Sequence, residues 1–275
     1  MAERRPNRRR GFVLGGLLVL IVAFTLGVLV GLPVAWPFDY VINLGAGPEV
    51  AALHTPADGK RRLVVLQHGL WRSSASLGRL ERTLRAHGYA VINPGYRSTR
   101  GRIEQFAERL HTAIEQELAA NPAAEIHFVG HSMGGLVIQE YLRRPAARRP
   151  TSCVYLGTPH RGAVLADLRK HWFVFRLVMG TGAAMQLSPG DPLHLQPIPY
   201  GEVSGTIVGS LGGGNAAIPG DDDGTVAVAE ASFAGAKASL QLPVGHTRLT
   251  LDARVHQQVL HFLRRGAFAP AASGQ

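Results

Sequence analysis

Beyond residue 60 the chain alternates short apolar runs with longer stretches of helical spacing. Leu63-Val64-Val65-Leu66 is an unbroken apolar run that ends at Gln67-His68-Gly69, the pattern of a buried strand meeting a loop. Leu77, Leu80 and Leu84 repeat at helical spacing over 76–87, and Gly88 stops them. Tyr89–Asn93 predicts a second strand, closed by Pro94-Gly95. Over 103–120, Ile103, Phe106, Leu110, Ile114 and Leu118 share one helical face, and Asn121-Pro122 ends it. Ile126–Val129 predicts a third strand, 133–143 a helix, and Ser152–Leu156 a fourth strand. Val203–Val208 and Ala238–Val244 read as the last two core strands, with Asp252–Arg265 the closing helix. Strands written as apolar runs, alternating with helices, predict an α/β domain whose mostly parallel central sheet is covered on both faces.

Two segments break the rhythm. Gly11 to Leu32 holds no charged residue, and at helical rise its 22 residues would span about 33 Å, enough for a bilayer core. Five arginines precede it, and Trp36, Phe38 and Tyr40 follow. The pattern predicts a transmembrane anchor over 11–32 behind a basic cytoplasmic tail at 1–10, with everything after residue 40 outside the cytoplasm. A cleaved twin-arginine signal is the alternative, because Arg9-Arg10-Gly11-Phe12-Val13-Leu14 resembles that pattern. Residues 33–60 read as a linker or peripheral segment, 61–266 as the folded domain, and 267–275 as a disordered tail. The second break lies at 162–200, where His171-Trp172-Phe173-Val174-Phe175 and a Pro-rich stretch are too apolar for an idle loop. This segment is a candidate lid over the C-terminal edge of the sheet, or else a helix packed on the core.

Composition removes several classes. At 46% hydrophobic and 17% charged residues, the chain is far from a disordered composition. Of the net charge of +10, about +4 belongs to the first ten residues. No basic stripe interleaves with aromatics, so no nucleic-acid partner is expected, and Arg143–Pro150 reads as a solvated loop. The single cysteine, Cys153, sits in an apolar run and reads as a core thiol. No Cys/His spacing suggests a zinc site, and neither a metal nor a cofactor is expected.

The chemistry concentrates in Gly130-His131-Ser132-Met133-Gly134-Gly135. Chance supplies about 0.2 G-x-S-x-G matches in a chain of this composition, but here the motif joins a predicted strand to a predicted helix. That is the context of a nucleophile elbow, in which a strained turn presents the serine oxygen and bulky flanks would clash. A serine nucleophile needs a base and an orienting acid. His246 follows the last predicted strand, where a loop can return its imidazole to Ser132. The acid lies in Asp221-Asp222-Asp223, with Asp223 preferred beside its glycine turn, then Asp222, then Asp221; the bland reading is a solvated or calcium-binding loop. The developing oxyanion calls for two backbone donors. The amides of Met133 and of Leu70, in the loop Gln67-His68-Gly69-Leu70-Trp71, are the candidates, with His68 orienting that loop.

Taken together, HG-L-W, GHSMGG, Leu156–Gly162 (LGTPHRG), DDDGTV and GHT resemble the lipase and esterase branch of the α/β-hydrolase superfamily. The set is similar to small bacterial triacylglycerol lipases and to inositol-deacylase-like lipases, from about residue 60 to 265. The resemblance implies an α/β-hydrolase fold, the roles above for Ser132, Asp223, His246, Leu70 and Met133, and a pocket-shaping role for Thr158-Pro159-His160. The N-terminal anchor and the 162–200 segment depart from the pattern. The expected activity is hydrolysis of small-molecule or lipid-like esters by an enzyme held at the membrane. The same triad would also serve an acyltransferase, a thioesterase or an amidase, and a non-catalytic membrane-tethered scaffold is the rival of a different class.

Overall fold

The computed structural model describes residues 59–270. The anchor expected at 11–32, the tail before it and nearly all of the 33–60 linker lie outside the described residues, as do 271–275. Among the described residues no helix is long and apolar enough to cross a membrane.

Six strands form one wholly parallel sheet: β1 (Arg62–Gln67), β2 (Ala90–Ile92), β3 (Glu125–His131), β4 (Ser152–Leu156), β5 (Ser204–Gly209) and β6 (Ala238–Leu242). Their spatial order is β2-β1-β3-β4-β5-β6. The main helices are α1 (Gly78–Ala86), α2 (Ile103–Ala120), α3 (Met133–Leu142) and α8 (Ala253–Arg265). Between β4 and β5 run α4 (Val164–Arg169), α5 (Phe173–Met179) and α6 (Ala183–Gln186), and the one-turn α7 (Val228–Ala231) precedes β6.

Alternation along each strand divides the core in two. Leu63, Val65, Phe128, Cys153 and Tyr155 point to one face, where α2 and α3 cover them with Phe106, Leu110, Leu136 and Tyr141. Val64, Leu66, Val129, Val154 and Leu156 point to the other, under Leu80 and Leu84 of α1 and Val255, Val259 and Phe262 of α8. Burial on both faces is why these strands read as apolar runs rather than alternators. Edge strand β6 does alternate, its residues being half-buried and exposed in turn. Cys153 is buried in this core, where desolvation pushes its thiol up to about 12 and leaves it inert as a nucleophile.

The chain moves outward from β1 to β2, then crosses back to place β3 on the other side of β1. At such a reversal the loops leaving the two strands part in opposite directions, and a crevice opens at their C-terminal ends. His68 and Ser132 leave β1 and β3 at that point.

The expected disordered tail from 267 needs correcting for residues 267–270. The Phe268 ring packs 4.9 Å from that of Phe262, and the Ala269 amide donates to Gln258 Oε1 at 2.8 Å. Gly266 ends α8 with a left-handed turn (φ 65°), which folds these residues back onto the helix. The basic run at 143–150 behaves as a solvated loop. Arg143, Arg144 and Arg148 pair with Glu140, Glu108 and Glu115 across α2 and α3.

Candidate active site

Ser132 lies between β3 and α3 with φ 54° and ψ −130°, a backbone conformation that costs a non-glycine residue energy. Close packing on both sides holds it there. A Cβ at Gly130 would come 2.5 Å from the Gly135 Cα, and one at Gly134 would collide with the Gln67 carbonyl at the end of β1. Strand and helix can therefore approach only because these positions carry no side chain. The turn lifts the Ser132 hydroxyl out of the sheet at the first turn of α3.

His246 begins the 3-10 turn His246–Thr250 after β6. Its Nε2 lies 3.0 Å from Ser132 Oγ, and its Nδ1 lies 2.6 Å from Asp223 Oδ2. The backbone repeats the link, since the His246 amide donates to the Asp223 carbonyl at 2.9 Å. The three adjacent aspartates point three ways. Asp223 is 2% exposed, and its second oxygen accepts from the amides of Thr225 and Val226 at 3.0 and 2.8 Å. Asp222 turns to the amides of Gly224 and Asn215, and Asp221 to Ser210 Oγ and the Gly212 amide. Only Asp223 meets His246, while Asp221 and Asp222 brace the loop that delivers it. Among the described residues, no cluster of His, Cys, Asp or Glu side chains could hold a metal ion.

The loop after β1 closes on Ser132 from the other side. A Cβ at Gly69 would come 2.9 Å from the Ser132 Cβ, so only glycine permits the approach. Leu70 follows Gly69, and Met133 follows Ser132 as the first residue of α3, where an amide has no intrahelical acceptor. Trp71 then takes a left-handed turn (φ 58°), its amide donating to Ser98 Oγ at 2.9 Å. His68 is fully buried and stacks on Tyr96, with ring centroids 4.1 Å apart. Its Nδ1 lies 3.0 Å from the Gly69 carbonyl and its Nε2 accepts from the Tyr96 amide, which assigns the proton to Nδ1. The side chain thus orients the loop through both ring nitrogens.

Three contributors escape a reading of the sequence. His131 is buried, with Nε2 3.0 Å from the His246 carbonyl and its ring 4.9 Å from that of His246, so it supports the loop that carries His246. Arg72 donates to Thr247 Oγ1 at 2.8 Å and ties the same loop to the one after β1. Gly157 (φ 54°) sits under the acid–base pair, where a Cβ would come 3.1 Å from both Asp223 Oδ2 and His246 Nδ1. Of the Thr158-Pro159-His160 group, only Pro159 lines the cleft. Thr158 packs beneath Gly135, and His160 is buried against Gln139. Gly157→Ala is expected to separate His246 from Asp223 and to lower kcat/KM by about 100-fold with little change in KM. Steady-state kinetics on any turned-over ester checks this.

Five of the buried histidines in the described domain hold a proton weakly. Desolvation lowers His68, His127 and His256 to about 4 and His160 to about 3, and it holds His131 well below the ordinary imidazole value. Each binds its proton less readily folded than unfolded, so stability is complete above about pH 6.5 and is lost as pH falls from there toward 4. Thermal melts from pH 7 to pH 4 are expected to show a steep fall in Tm, summing to several kcal/mol on the order-of-magnitude scale of linkage. A flat profile would mean that these rings accept protons in place.

The cleft above Ser132 has a volume of about 210 Å³ and is walled by Leu70, Leu165, Phe175, Met179 and Leu187. The 162–200 segment supplies Leu165, Phe175, Met179 and Leu187 of that wall. Phe175 and Met179 of α5 face the cleft, whereas Trp172 and Phe173 are 60% and 77% exposed. Ala163, Ala166, Ala183, Leu187 and Leu193 of the same segment pack into the main core, so it borders both the cleft and the core. Its far end is pinned, because the Ala183 amide donates to the Gly101 carbonyl at 2.7 Å.

The chain is similar to known proteins at several levels. The chain is 31% identical over 135 residues to a triacylglycerol lipase of Burkholderia plantarii, a match covering 46% of this chain and 37% of the relative. It is 34% identical over 91 residues to a triacylglycerol lipase of Pseudarthrobacter phenanthrenivorans, covering 32% and 28%. The chain therefore spans about a third of the length of these relatives. In fold it is similar to the mature form of a Bacillus licheniformis lipase, with a TM-score of 0.58 and 18% identity over 80% of this chain and 96% of that one. A sequence model of the alpha/beta hydrolase family matches residues 63–269, from the start of β1 to the residues folded back on α8. The chain belongs to the alpha/beta hydrolase family.

Proposed function

We propose that the protein hydrolyses carboxylic esters with lipid-like acyl groups through an acyl-enzyme on Ser132. The observation that carries this reading is the unbroken hydrogen-bonded line from Ser132 Oγ through both nitrogens of His246 to buried Asp223. Asp223 holds the proton of His246 on Nδ1 and leaves the Nε2 lone pair facing the serine hydroxyl. As Oγ attacks the ester carbonyl, Nε2 takes its proton, and the carbonyl oxygen gains charge beside the amides of Leu70 and Met133. Nε2 then protonates the departing alcohol, leaving the acyl group on Ser132. Water repeats the cycle with His246 again as base, releasing the acid and the free serine. The resting proton assignment requires no rearrangement before attack, which favours rate over mere binding.

The apolar walls of the cleft support an aliphatic acyl group. Segment 162–200 is the proposed lid, with α5 the part able to move because none of its residues is buried. The apolar stretch at 11–32 supports an enzyme held at the membrane with its catalytic domain outside the cytoplasm.

The test is a series of p-nitrophenyl esters from acetate to palmitate, with glycerol as a competing acceptor. The expected profile rises in kcat/KM from two carbons to about eight and yields free acid. Acylglycerol as the main product would assign the acyl-enzyme to transfer instead. A folded protein that turns over no ester would leave the scaffold reading in its place.

A further inference from the structure

A groove between the segment leaving β2 and α2 shares no lining residue with the catalytic cleft and has no part in the mechanism. It holds about 260 Å³, against about 210 Å³ above Ser132. Pro94, Tyr96, Phe106 and Leu110 give it apolar walls, with Arg109 at the exposed rim. Gln67, the last residue of β1, also lines it and is 2% exposed. The Gln67 side chain is within hydrogen-bonding reach of the Tyr96 hydroxyl. That hydroxyl already donates to the His68 carbonyl at 2.5 Å, so the NH₂ group of Gln67 is the donor to it. Gln67 Oε1 is then left buried, with no hydrogen-bond partner among the described residues. Such an oxygen is costly, and a molecule that donates to it relieves the cost. A single neutral acceptor among apolar walls suits a neutral donor, because an ammonium placed there would lose its hydration for one bond. The walls suit an aliphatic chain beside that donor.

We propose that this groove is a second binding site, taking a neutral aliphatic alcohol whose hydroxyl donates to Gln67 Oε1, and that its occupant raises turnover through the loop after β1. The hydrogen bonds then run in one direction, from the alcohol through the Gln67 amide and the Tyr96 hydroxyl to the His68 carbonyl. Each polarises the next, and Tyr96 also stacks on the His68 ring at 4.1 Å, so occupancy holds the loop that carries Leu70 more firmly. The effect on turnover rests on the ester hydrolysis proposed above. The binding does not.

In the experiment, a hexanol carrying a diazirine on its chain is photolysed with the full chain in a neutral detergent, and adducts are located by mass spectrometry of peptides. Adducts between Tyr96 and Gln116 are expected, suppressed by excess hexanol and absent from Ala113→Phe, which fills the groove. Gln67→Met keeps the length of the side chain without its acceptor, and should raise the hexanol needed for suppression about tenfold. Where Gln67→Met does not fold, a probe lacking the hydroxyl reads the same bond and should label the wild type about tenfold less. In parallel, tert-amyl alcohol, whose hindered hydroxyl is a poor acyl acceptor, is added to p-nitrophenyl acetate turnover. It is expected to raise kcat about twofold at unchanged KM in the wild type and not in Ala113→Phe. Adducts confined to the catalytic cleft, or unchanged in Ala113→Phe, overturn the site. Equal labelling by the two probes overturns the role of Gln67. A labelled groove with kcat unmoved or lowered overturns the coupling to the loop. A wild type inert toward the ester overturns the hydrolase reading and the coupling with it, while the labelling still decides the site.

Discussion

Ser132→Ala is expected to abolish labelling by a fluorophosphonate and to lower ester kcat/KM by about 10⁴-fold or more, with KM nearly unchanged. The effect is large because, in the proposed mechanism, Oγ is the atom that becomes covalently bonded to the substrate. What remains after its removal is the cleft, the amides of Leu70 and Met133, and water activated by His246. Stability should move by no more than about 1 kcal/mol, because the hydroxyl is partly exposed and bonds only outward, to His246 Nε2 at 3.0 Å. A thermal melt beside the kinetics separates lost chemistry from lost fold. Retention of a tenth of the wild-type rate would remove Ser132 from the mechanism.

Asp223→Asn should cost about 10³- to 10⁴-fold in kcat for a different reason. Asp223 Oδ1 accepts from the amides of Thr225 and Val226, so the oxygen of the new carboxamide must occupy that position to satisfy them. Its NH₂ group is then forced toward His246 Nδ1, where it donates. The imidazole answers by moving its proton to Nε2, which can no longer accept from Ser132. The residue keeps its place while the base is lost. Asp222→Asn, one position away, should leave kcat within a few-fold of wild type, because its oxygens bond the Gly224 and Asn215 amides and not His246. Kinetics on the two variants side by side distinguish the orienting acid from its neighbours. Equal losses at both positions would mean that the loop as a whole, and not the Asp223 carboxylate, governs the base.

Elements with an uninterrupted pattern and a clear stop were legible in the sequence. The helix over 103–120 has the same limits in the structure, since five apolar residues on one face set its length and Asn121-Pro122 ends it. The strand Ser152–Leu156 is likewise placed residue for residue, because burial on both faces leaves a run with no polar break. The spacing over 76–87 predicts one helix, yet Ser74–Leu77 forms a 3-10 turn before α1 begins at Gly78. Helical spacing at Leu77, Leu80 and Leu84 does not distinguish the two.

The candidate site divides in the same way. Ser132 and His246 follow from local context, one at a strand-to-helix turn and the other after the last strand. The choice among three aspartates depends on where Ser210 and Asn215 draw the other two, a matter of loop geometry with no local pattern. Gly157 and His131 were missed because what they touch is far away in sequence: Gly157 meets Asp223 and His246, and His131 meets the His246 carbonyl. The character of 162–200 was ambiguous for another reason. Its apolar side chains serve two surfaces, Phe175 and Met179 facing the cleft and Trp172 and Phe173 facing out, so composition alone could not separate a cap from core.

Ser132 as a nucleophile activated by His246 is the proposal on which the mechanism turns. Its most direct test is to label the folded wild-type chain with a fluorophosphonate and locate the adduct by mass spectrometry of peptides. A single adduct on Ser132, absent in His246→Ala, is the predicted result. No adduct on folded protein, or an adduct on another residue that persists in Ser132→Ala, would contradict it.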